Sequence, residues 1–401
     1  MNANSGSSQD SLPKIFRECI LSFSFDFVGL LAGLVLASQL HVFKFSPWIV
    51  AVYPAILSTK GMIAGMLTGR LGTALHVGTV KPKFTGNTRV FYKLFDAIIV
   101  MTLMTSVFMS LIAMVTGIFL WGIEIMSFPD IILAVTATMA LGLTILFVTI
   151  FVSFLSFRKG LDPDVVVYPI MSTSADVIIT VYYMIIINVL FLFGKIGRIV
   201  VIMVTLIYMI AVLFLLLRNI RDREFIRDIK EFFLTLFLVV LIVNFTGTFL
   251  NKISAIIEER KEVYTVYPAM IDMTGDVGSV VGSVTTTKLA LGLLEPSITS
   301  IKGIKRQILG SWMASLIIFV TLSFLSLLLN GVLEPLTFIN FSFLLLMTNV
   351  IAIPVIIAFS YVISILTFKV GLDPDNFVIP IESSLADNIT TIALFLALLM
   401  H

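Results

Sequence analysis

One segment of the sequence occurs twice, and this repeat constrains the fold more than any other feature. Residues 157–176, FRKGLDPDVVVYPIMSTSAD, return as residues 368–387, FKVGLDPDNFVIPIESSLAD. Each copy contains the same Gly-Leu-Asp-Pro-Asp, then a proline, and then a further aspartate, Asp176 or Asp387, inside an apolar stretch. We therefore expect the chain to fold into two similar halves.

The composition places both halves in a membrane. Hydrophobic residues make up 59% of the 401 residues, charged residues make up only 12%, and the mean hydropathy is +1.09. Such a chain is too apolar for a soluble protein and is long enough for about ten membrane spans. The formal net charge of +2 argues against a nucleic-acid surface, and one cysteine, Cys19, excludes an internal disulfide and a Cys-rich metal site.

The apolar segments predict an all-α polytopic membrane protein with about eleven transmembrane helices. Residues 1–10 are polar and are predicted to form a disordered tail. Residues 11–194 hold the first repeat of five helices, and residues 195–223 hold a linking helix and a cytoplasmic loop. Residues 224–401 hold the second repeat of five helices. The predicted arrangement is thus five helices, one linking helix and five helices.

The second helix of each repeat shows the correspondence in detail. The sequence VYPA at residues 52–55 recurs at residues 266–269, and residues 78–82 match residues 292–296. An odd number of helices per repeat would invert the second copy, but the unmatched linking helix restores its direction. The two repeats are therefore predicted to be parallel and to be related by a pseudo-twofold axis along the membrane normal.

The distribution of basic residues orients the chain. Lysines and arginines concentrate in residues 70–93, 218–230 and 302–306, which the helix count places on one side of the membrane. Short loops rich in these residues are cytoplasmic. We expect a multi-pass protein of the plasma membrane, with a cytoplasmic amino terminus and an external carboxyl terminus.

Asp176 and Asp387 are the central candidate ion ligands. The Asp-Pro at residues 162–163 and 373–374 is typical of a helix start, and at about 1.5 Å per residue each aspartate lies roughly 21 Å further along its helix. That depth is inside a hydrocarbon layer about 30 Å thick, where an ionisable residue indicates a functional site. Helices two, five, eight and eleven are predicted to line a central pore in which the two aspartates face each other.

The second repeat carries further acids inside its helices. Glu382 replaces Met171 of the first repeat, and Asp276 has Asp272 about one turn away. Asp276 has a structural alternative, which is a hydrogen bond between helices. Carboxylates with neighbouring hydroxyls suit a hard divalent cation, and Mg²⁺ in particular keeps most of its water. The predicted metal-contacting residues are Asp176, Asp387, Asp276, Glu382, Asp272, Ser172 and Ser383.

Helix two also contains a basic residue, Lys60. We interpret this lysine as a structural counter-charge to the acids rather than as a participant in transport. Lys60 lies in the segment YPAILSTKGMIAGMLTGRLGTALHVG at residues 53–78, and helix five contains LDPD…P…D. Together these two segments resemble the membrane domain of the MgtE magnesium transporters, and most closely the two-repeat solute-carrier-41 type.

The resemblance covers both repeats and so nearly the whole chain. MgtE itself is a homodimer of five-helix membrane domains, and this sequence resembles that dimer fused through one linking helix. The resemblance implies Mg²⁺ transport through a central pore, with the helix-five aspartate of each half, here Asp176 and Asp387, lining the ion site.

The leading hypothesis is therefore a divalent cation transporter with Mg²⁺ as the transported ion, no permanently bound cofactor and no enzymatic activity. Its partners would be divalent cations and the lipid bilayer, without nucleic acid, and a fused pseudo-dimer is compatible with a monomer. The alternative is a Na⁺- or H⁺-coupled secondary transporter of another cation or small solute. An intramembrane aspartyl protease is disfavoured by the internal duplication and by the lack of a Gly-x-Gly-Asp sequence.

Overall fold

The computed structural model describes residues 11–159, 163–258, 260–370 and 374–400, and all the regular elements in these ranges are helices. The tail predicted for residues 1–10 lies outside them. The α-helices, in chain order, are α1 (Leu12–Phe23), α2 (Gly29–Ser38), α3 (Leu40–Phe43), α4 (Pro47–His76), α5 (Arg89–Thr116), α6 (Phe128–Gly142), α7 (Thr144–Arg158), α8 (Pro163–Leu192), α9 (Gly194–Asn219), α10 (Arg223–Ile257), α11 (Lys261–Ala290), α12 (Lys305–Leu329), α13 (Pro335–Val370) and α14 (Pro374–Met400).

The all-α membrane class is confirmed. Nine helical stretches in the described part of the chain are long and apolar enough to cross a membrane. Helices α4 and α11 are not among them, although each has 30 residues. A helix of that length extends about 45 Å at 1.5 Å per residue, which is enough to span a bilayer. The arrangement of eleven spanning helices stays a prediction.

The repeated Asp-Pro sequence marks the start of a helix in both halves. Helices α8 and α14 begin at Pro163 and Pro374, as the sequence predicts, because proline suits the first helical position, where its missing N–H is not needed. The capping aspartates, Asp162 and Asp373, lie outside the described residues.

The helices form two compact units. The first-repeat unit is Ser38–Asn251, and the second-repeat unit combines Met1–Ala37 with Lys252–His401. The first helices of the chain, α1 and most of α2, therefore pack with the second repeat, while most of α10, which opens the second repeat, packs with the first. Each repeat has thus exchanged its opening helix for that of the other.

Two glycines at matching positions allow this exchange. A Cβ on Gly33 of α2 would lie 1.9 Å from the carbonyl oxygen of Thr265 in α11. A Cβ on Gly247 of α10 would lie 1.7 Å from the carbonyl oxygen of Ala51 in α4. Only glycine permits helices to approach this closely, as small residues do at helix contacts in membranes.

The linking helix α9 belongs to the first-repeat unit. The Tyr208 hydroxyl donates to the carbonyl oxygen of Ile99 at 3.0 Å, and the Asn219 amide donates to the Asp96 carboxylate at 2.9 Å. Lys93 forms an ion pair with Asp222 in the turn that follows α9. These polar contacts fix α9 on α5, and its other side exposes mainly apolar side chains that suit lipid.

Candidate functional site

Asp176 is buried in the first-repeat unit, on a turn of helix that hydrogen bonds hold in place. It is on α8, which packs against α4, and it is only 5% exposed. One turn further on, the Thr180 hydroxyl donates to the carbonyl oxygen of Asp176 at 2.6 Å. The same hydroxyl lies 2.9 Å from the hydroxyl of Tyr53 on α4. A hydrogen-bonded link from Tyr53 through Thr180 therefore holds the turn of α8 that carries the aspartate against α4.

Asp387 has the same surroundings in the second-repeat unit. It is 7% exposed, and the Thr391 hydroxyl donates to its carbonyl oxygen at 2.6 Å. The Thr391 hydroxyl lies 2.8 Å from the hydroxyl of Tyr267 on α11. The two central candidates are thus buried acids that equivalent tyrosine–threonine links position within their own units.

The sequence interpretation missed these hydroxyl residues. Tyrosine and threonine are common in membrane helices, and neither has the charge that draws attention to an intramembrane aspartate. A signal was nevertheless present, because Asp-x-Ile-x-Thr at residues 176–180 recurs at residues 387–391, and the VYPA that contains each tyrosine also occurs twice. A repeat that keeps an acid and its supporting hydroxyls together indicates a positioned site.

Glu382 is the most deeply buried of the described acids of the second-repeat unit. Its side chain is 1% exposed, and both carboxyl oxygens lack a hydrogen-bond partner among the described residues. Its Oε1 atom lies 2.1 Å from the point that a Cβ on Gly278 of α11 would occupy. The Ser360 hydroxyl oxygen, on α13, lies 2.9 Å from that same point. Glycine therefore makes the space in which the carboxyl group and the hydroxyl lie side by side.

Two acids of α11, Asp276 and Asp272, extend this region. Asp276 is close enough for its charge to act on Glu382, and Asp272 acts in the same way on Asp276. Within the described ranges, however, no group of three or more His, Cys, Asp and Glu side chains is arranged so that it could hold a metal ion. The structure brings Glu382 and Asp276 into one region.

The remaining predicted ligands are the serines Ser383 and Ser172. Ser383 is half-buried and follows Glu382 on α14. The side chain of Ser172 lies outside the described residues. Asp176 and Asp387 belong to different units, so each is described only in its own.

Lys60 is a buried charged residue of α4 in the first-repeat unit. Its side chain is fully buried, and its Nζ atom has no hydrogen-bond partner in the described part of the chain. Nζ lies 3.7 Å from the point that a Cβ on Gly142 of α6 would occupy, and Ile179 packs at the same glycine. Lys60 thus lies beside Gly142 and Ile179, and it forms no ion pair with a described acid of its own unit.

Comparison with known proteins identifies a family. The family model described as MgtE, divalent cation transporter, matches residues 53–186 and 267–397. These two matches contain both tyrosine–threonine links and both aspartates, one set in each match. No curated protein and no solved structure matches the chain.

Proposed function

Because the chain belongs to the MgtE family of divalent cation transporters, we propose that it carries Mg²⁺ across the plasma membrane. The family is one of transporters, so the buried acids are assigned to ion binding rather than to catalysis. The observation that carries the proposal is the occurrence, in each of two units, of one buried aspartate held by a tyrosine–threonine link.

In the proposed mechanism Asp176 and Asp387 act on one ion in a pore between the repeats, lined by α4, α8, α11 and α14. Two carboxylates supply the two negative charges that balance a divalent cation. Mg²⁺ gives up water reluctantly and needs only one or two carboxylates, so the rest of its shell can stay hydrated. The hydroxyls of Ser172, Thr173 and Ser383 are proposed to contact that water.

The tyrosine–threonine links have a defined task in this mechanism. An ion site discriminates by geometry only if its ligands are held in place by neighbouring groups. Thr180 binds the main chain of Asp176 and also contacts Tyr53, so the aspartate cannot shift along α8 independently of α4. The second-repeat unit does the same through Thr391 and Tyr267.

The test is uptake of divalent cations into liposomes that contain the purified protein. Mg²⁺, Ca²⁺, Mn²⁺ and Co²⁺ are offered one at a time, with and without Na⁺ and proton gradients. We expect uptake of Mg²⁺ that disappears when Asp176 and Asp387 are both replaced by Asn. Asp130→Asn is the matched control, because Asp130 is a partly exposed acid whose partner is Arg198. Absence of all divalent uptake by the wild-type protein would contradict the proposal.

A second candidate function is supported by the buried carboxyl group of Glu382. Carboxyl groups inside membrane helices bind coupling ions in secondary transporters. The chain would then use Na⁺ or H⁺ to move another cation or a small solute. Flux of such a solute that requires a Na⁺ or proton gradient, without divalent uptake, would favour this candidate over Mg²⁺ transport.

A further inference from the structure

A basic loop joins α4 to α5 in the first-repeat unit. Residues 77–93 contain Lys81, Lys83, Arg89 and Lys93 and no acidic residue. Lys93 is paired with an acid in the turn after α9. The side chains of Lys81, Lys83 and Arg89 are exposed, and within the described part of the chain they form no ion pair. Their charges are therefore available to a partner outside the chain.

Hydrogen bonds hold this loop in one shape. The Asn87 side-chain amide donates to the carbonyl oxygens of Lys81 and Lys83 at 2.8 and 2.7 Å, and its Oδ1 accepts from the N–H of Lys81 at 3.0 Å. Arg158, at the end of α7, donates to the carbonyl oxygen of Pro82 and so joins the loop to a second basic segment. The basic surface consists of the exposed side chains of Lys81, Lys83, Arg89, Arg158 and Lys159.

The basic surface lies where three helices end or begin, namely after α4, before α5 and at the end of α7. Helices α5 and α7 belong to stretches that are long and apolar enough to cross a membrane. Phe84 and Tyr92 are each 40% exposed in this region, and the Tyr92 hydroxyl donates to the carbonyl oxygen of Phe84 at 3.5 Å. Exposed aromatic rings at the ends of membrane helices are typical of the level of the lipid headgroups.

The loop that follows α11 in the second-repeat unit begins with the same main-chain arrangement. The N–H of Val80 donates to the carbonyl oxygen of Ala74 at 3.1 Å. At the matching positions, the N–H of Leu294 donates to the carbonyl oxygen of Lys288 at 3.1 Å. The two loops thus leave their helices in the same way, and they can be compared residue by residue as far as this arrangement extends.

The charges of the two loops differ where the main chains agree. Glu295 and Ser297 stand in the places of Lys81 and Lys83. The basic residues of the second loop lie instead within residues 302–306, beside the start of α12. The turn itself therefore does not require the two lysines. Exposed charges that the local fold does not need are better explained by something that binds them.

We propose that the basic surface, held in place by Asn87, binds the phosphate of anionic phospholipid headgroups. The negative charge of such lipids complements side chains that have no acidic partner of their own, and ammonium and guanidinium groups donate to phosphate oxygens. The sequence predicts this side of the membrane to be cytoplasmic, where anionic lipids concentrate. The proposal does not depend on which ion or solute the chain transports.

The first test measures lipid binding to the purified full chain in detergent by native mass spectrometry. Phosphatidylglycerol and phosphatidylcholine with identical acyl chains are titrated separately. We expect tighter binding of phosphatidylglycerol, and we expect Lys81→Gln with Lys83→Gln to weaken it roughly 30-fold, because each lysine near an anionic lipid surface contributes about a factor of five. Equal binding of the two lipids by the wild type would overturn the proposal.

Two matched double variants separate the surface from total charge and from misfolding. Lys195→Gln with Lys261→Gln also removes two exposed lysines, at the starts of α9 and α11, and should leave phosphatidylglycerol binding unchanged. Lys81→Arg with Lys83→Arg keeps the charges and should retain the affinity. An equal loss in the two glutamine variants would show that net charge, and not this surface, attracts the lipid.

The fixed shape of the loop is tested by Asn87→Ala, which keeps every charge and removes the hydrogen bonds to Lys81 and Lys83. We expect a several-fold loss of phosphatidylglycerol affinity. Unchanged affinity would overturn the role of Asn87.

A soluble phosphate compound is the other source of the same chemistry. Inorganic phosphate and glycerol 3-phosphate are therefore added to the complex with phosphatidylglycerol, each at the concentration of the lipid. We expect the lipid to stay bound, because its acyl chains hold it beside the helix ends. Displacement of the lipid by either compound would assign the basic surface to a soluble phosphate ligand and overturn the lipid.

Discussion

The two repeat units share their hydrogen-bonded framework and differ in their buried charge. Both place a glycine of an exchanged helix on a main-chain carbonyl, and both hold a buried aspartate through a tyrosine–threonine link. The first-repeat unit buries the cationic Lys60, for which the second repeat has Thr274, whereas the second-repeat unit buries Glu382 and carries Asp276. Duplication has preserved the groups that position the helices, while the charges beside them have diverged.

This difference suggests a division of labour. Features that both units keep are those that the proposed shared ion site would require, because each unit would present its aspartate in the same way. Features found in one unit only cannot be needed for that shared geometry. They are better suited to control of the ion by the buried ionisable group of each unit, Lys60 in the first and Glu382 in the second.

The largest expected effect is in the labelling of the two chain termini, which tests whether the two repeats are parallel. Single cysteines are introduced near Ser7 and near His401 in a Cys19→Ala background and are labelled with a membrane-impermeant reagent. Parallel repeats joined by one extra helix predict that the two positions react from opposite sides of the membrane. Reaction of both from one side would show that the repeats are antiparallel.

The exchanged helices give the next largest effect. Gly33→Val and Gly247→Val each place side-chain atoms where a main-chain carbonyl lies, and we expect each to destabilise the fold by about 3 kcal/mol or more, the upper range for overpacking. Thermal unfolding in detergent measures this. Gly61→Ala is the matched control, because no atom of the described residues, apart from its own stretch of helix, lies within 4 Å of its added Cβ. Tolerance of both valines would show that the close contacts are absent.

Removal of the buried charges tests the asymmetry between the units. Lys60→Met and Glu382→Met each replace a buried polar group, without a hydrogen-bond partner among the described residues, with an apolar side chain, and Met171 is the natural equivalent of the second change. We expect each protein to become more stable, by about 1–3 kcal/mol, because burying an unpartnered polar group costs that much in proteins. A loss of stability in Lys60→Met would show that the ammonium group has a partner and that the contrast between the units is overstated.

Weakening the tyrosine–threonine links should have the smallest effect on stability, and this effect should be similar in the two units. Tyr53→Phe and Tyr267→Phe each remove one hydroxyl–hydroxyl contact and should each cost about 1 kcal/mol, the usual net value of one hydrogen bond. Unfolding in detergent and Mg²⁺ affinity are measured for both. Tyr264→Phe is the control, because its hydroxyl contacts Ser254 at 2.7 Å and takes no part in either tyrosine–threonine link. A strongly unequal loss of Mg²⁺ affinity would show that the two links do not serve equivalent sites.

Much of the fold could be predicted from the sequence, because long apolar segments and an internal repeat are strong signals. The helix starts at Pro163 and Pro374 and the burial of Asp176 and Asp387 agree with the sequence interpretation. The exchange of opening helices was not predicted. Hydropathy identifies helices but does not show which helices pack together. The matching glycines, Gly33 and Gly247, can be recognised as contact points only when the main chains that they approach are known.

The candidate site was predicted in part for a similar reason. Intramembrane acids stand out in an apolar chain, so Glu382 and Asp276 were identified from sequence. The sequence interpretation makes Lys60 a counter-charge to these acids. In the structure, Lys60 forms no ion pair with a described acid of its own unit. Whether a buried charge has a partner depends on side-chain directions across several helices, which residue spacing within one helix does not specify.

The central claim is that Asp176 and Asp387 act on the same ion, and Mg²⁺ uptake by the two single Asn variants tests it most directly. Removing one charge from a buried charge pair costs about 2 kcal/mol or more, so each variant should lose roughly 30-fold or more of its Mg²⁺ affinity. The double variant should be little worse than either, because residues that act on one ion are not additive. Asp130→Asn should retain wild-type uptake. Abolished uptake in Asp176→Asn together with normal uptake in Asp387→Asn would contradict a shared site, even though the chain belongs to the family.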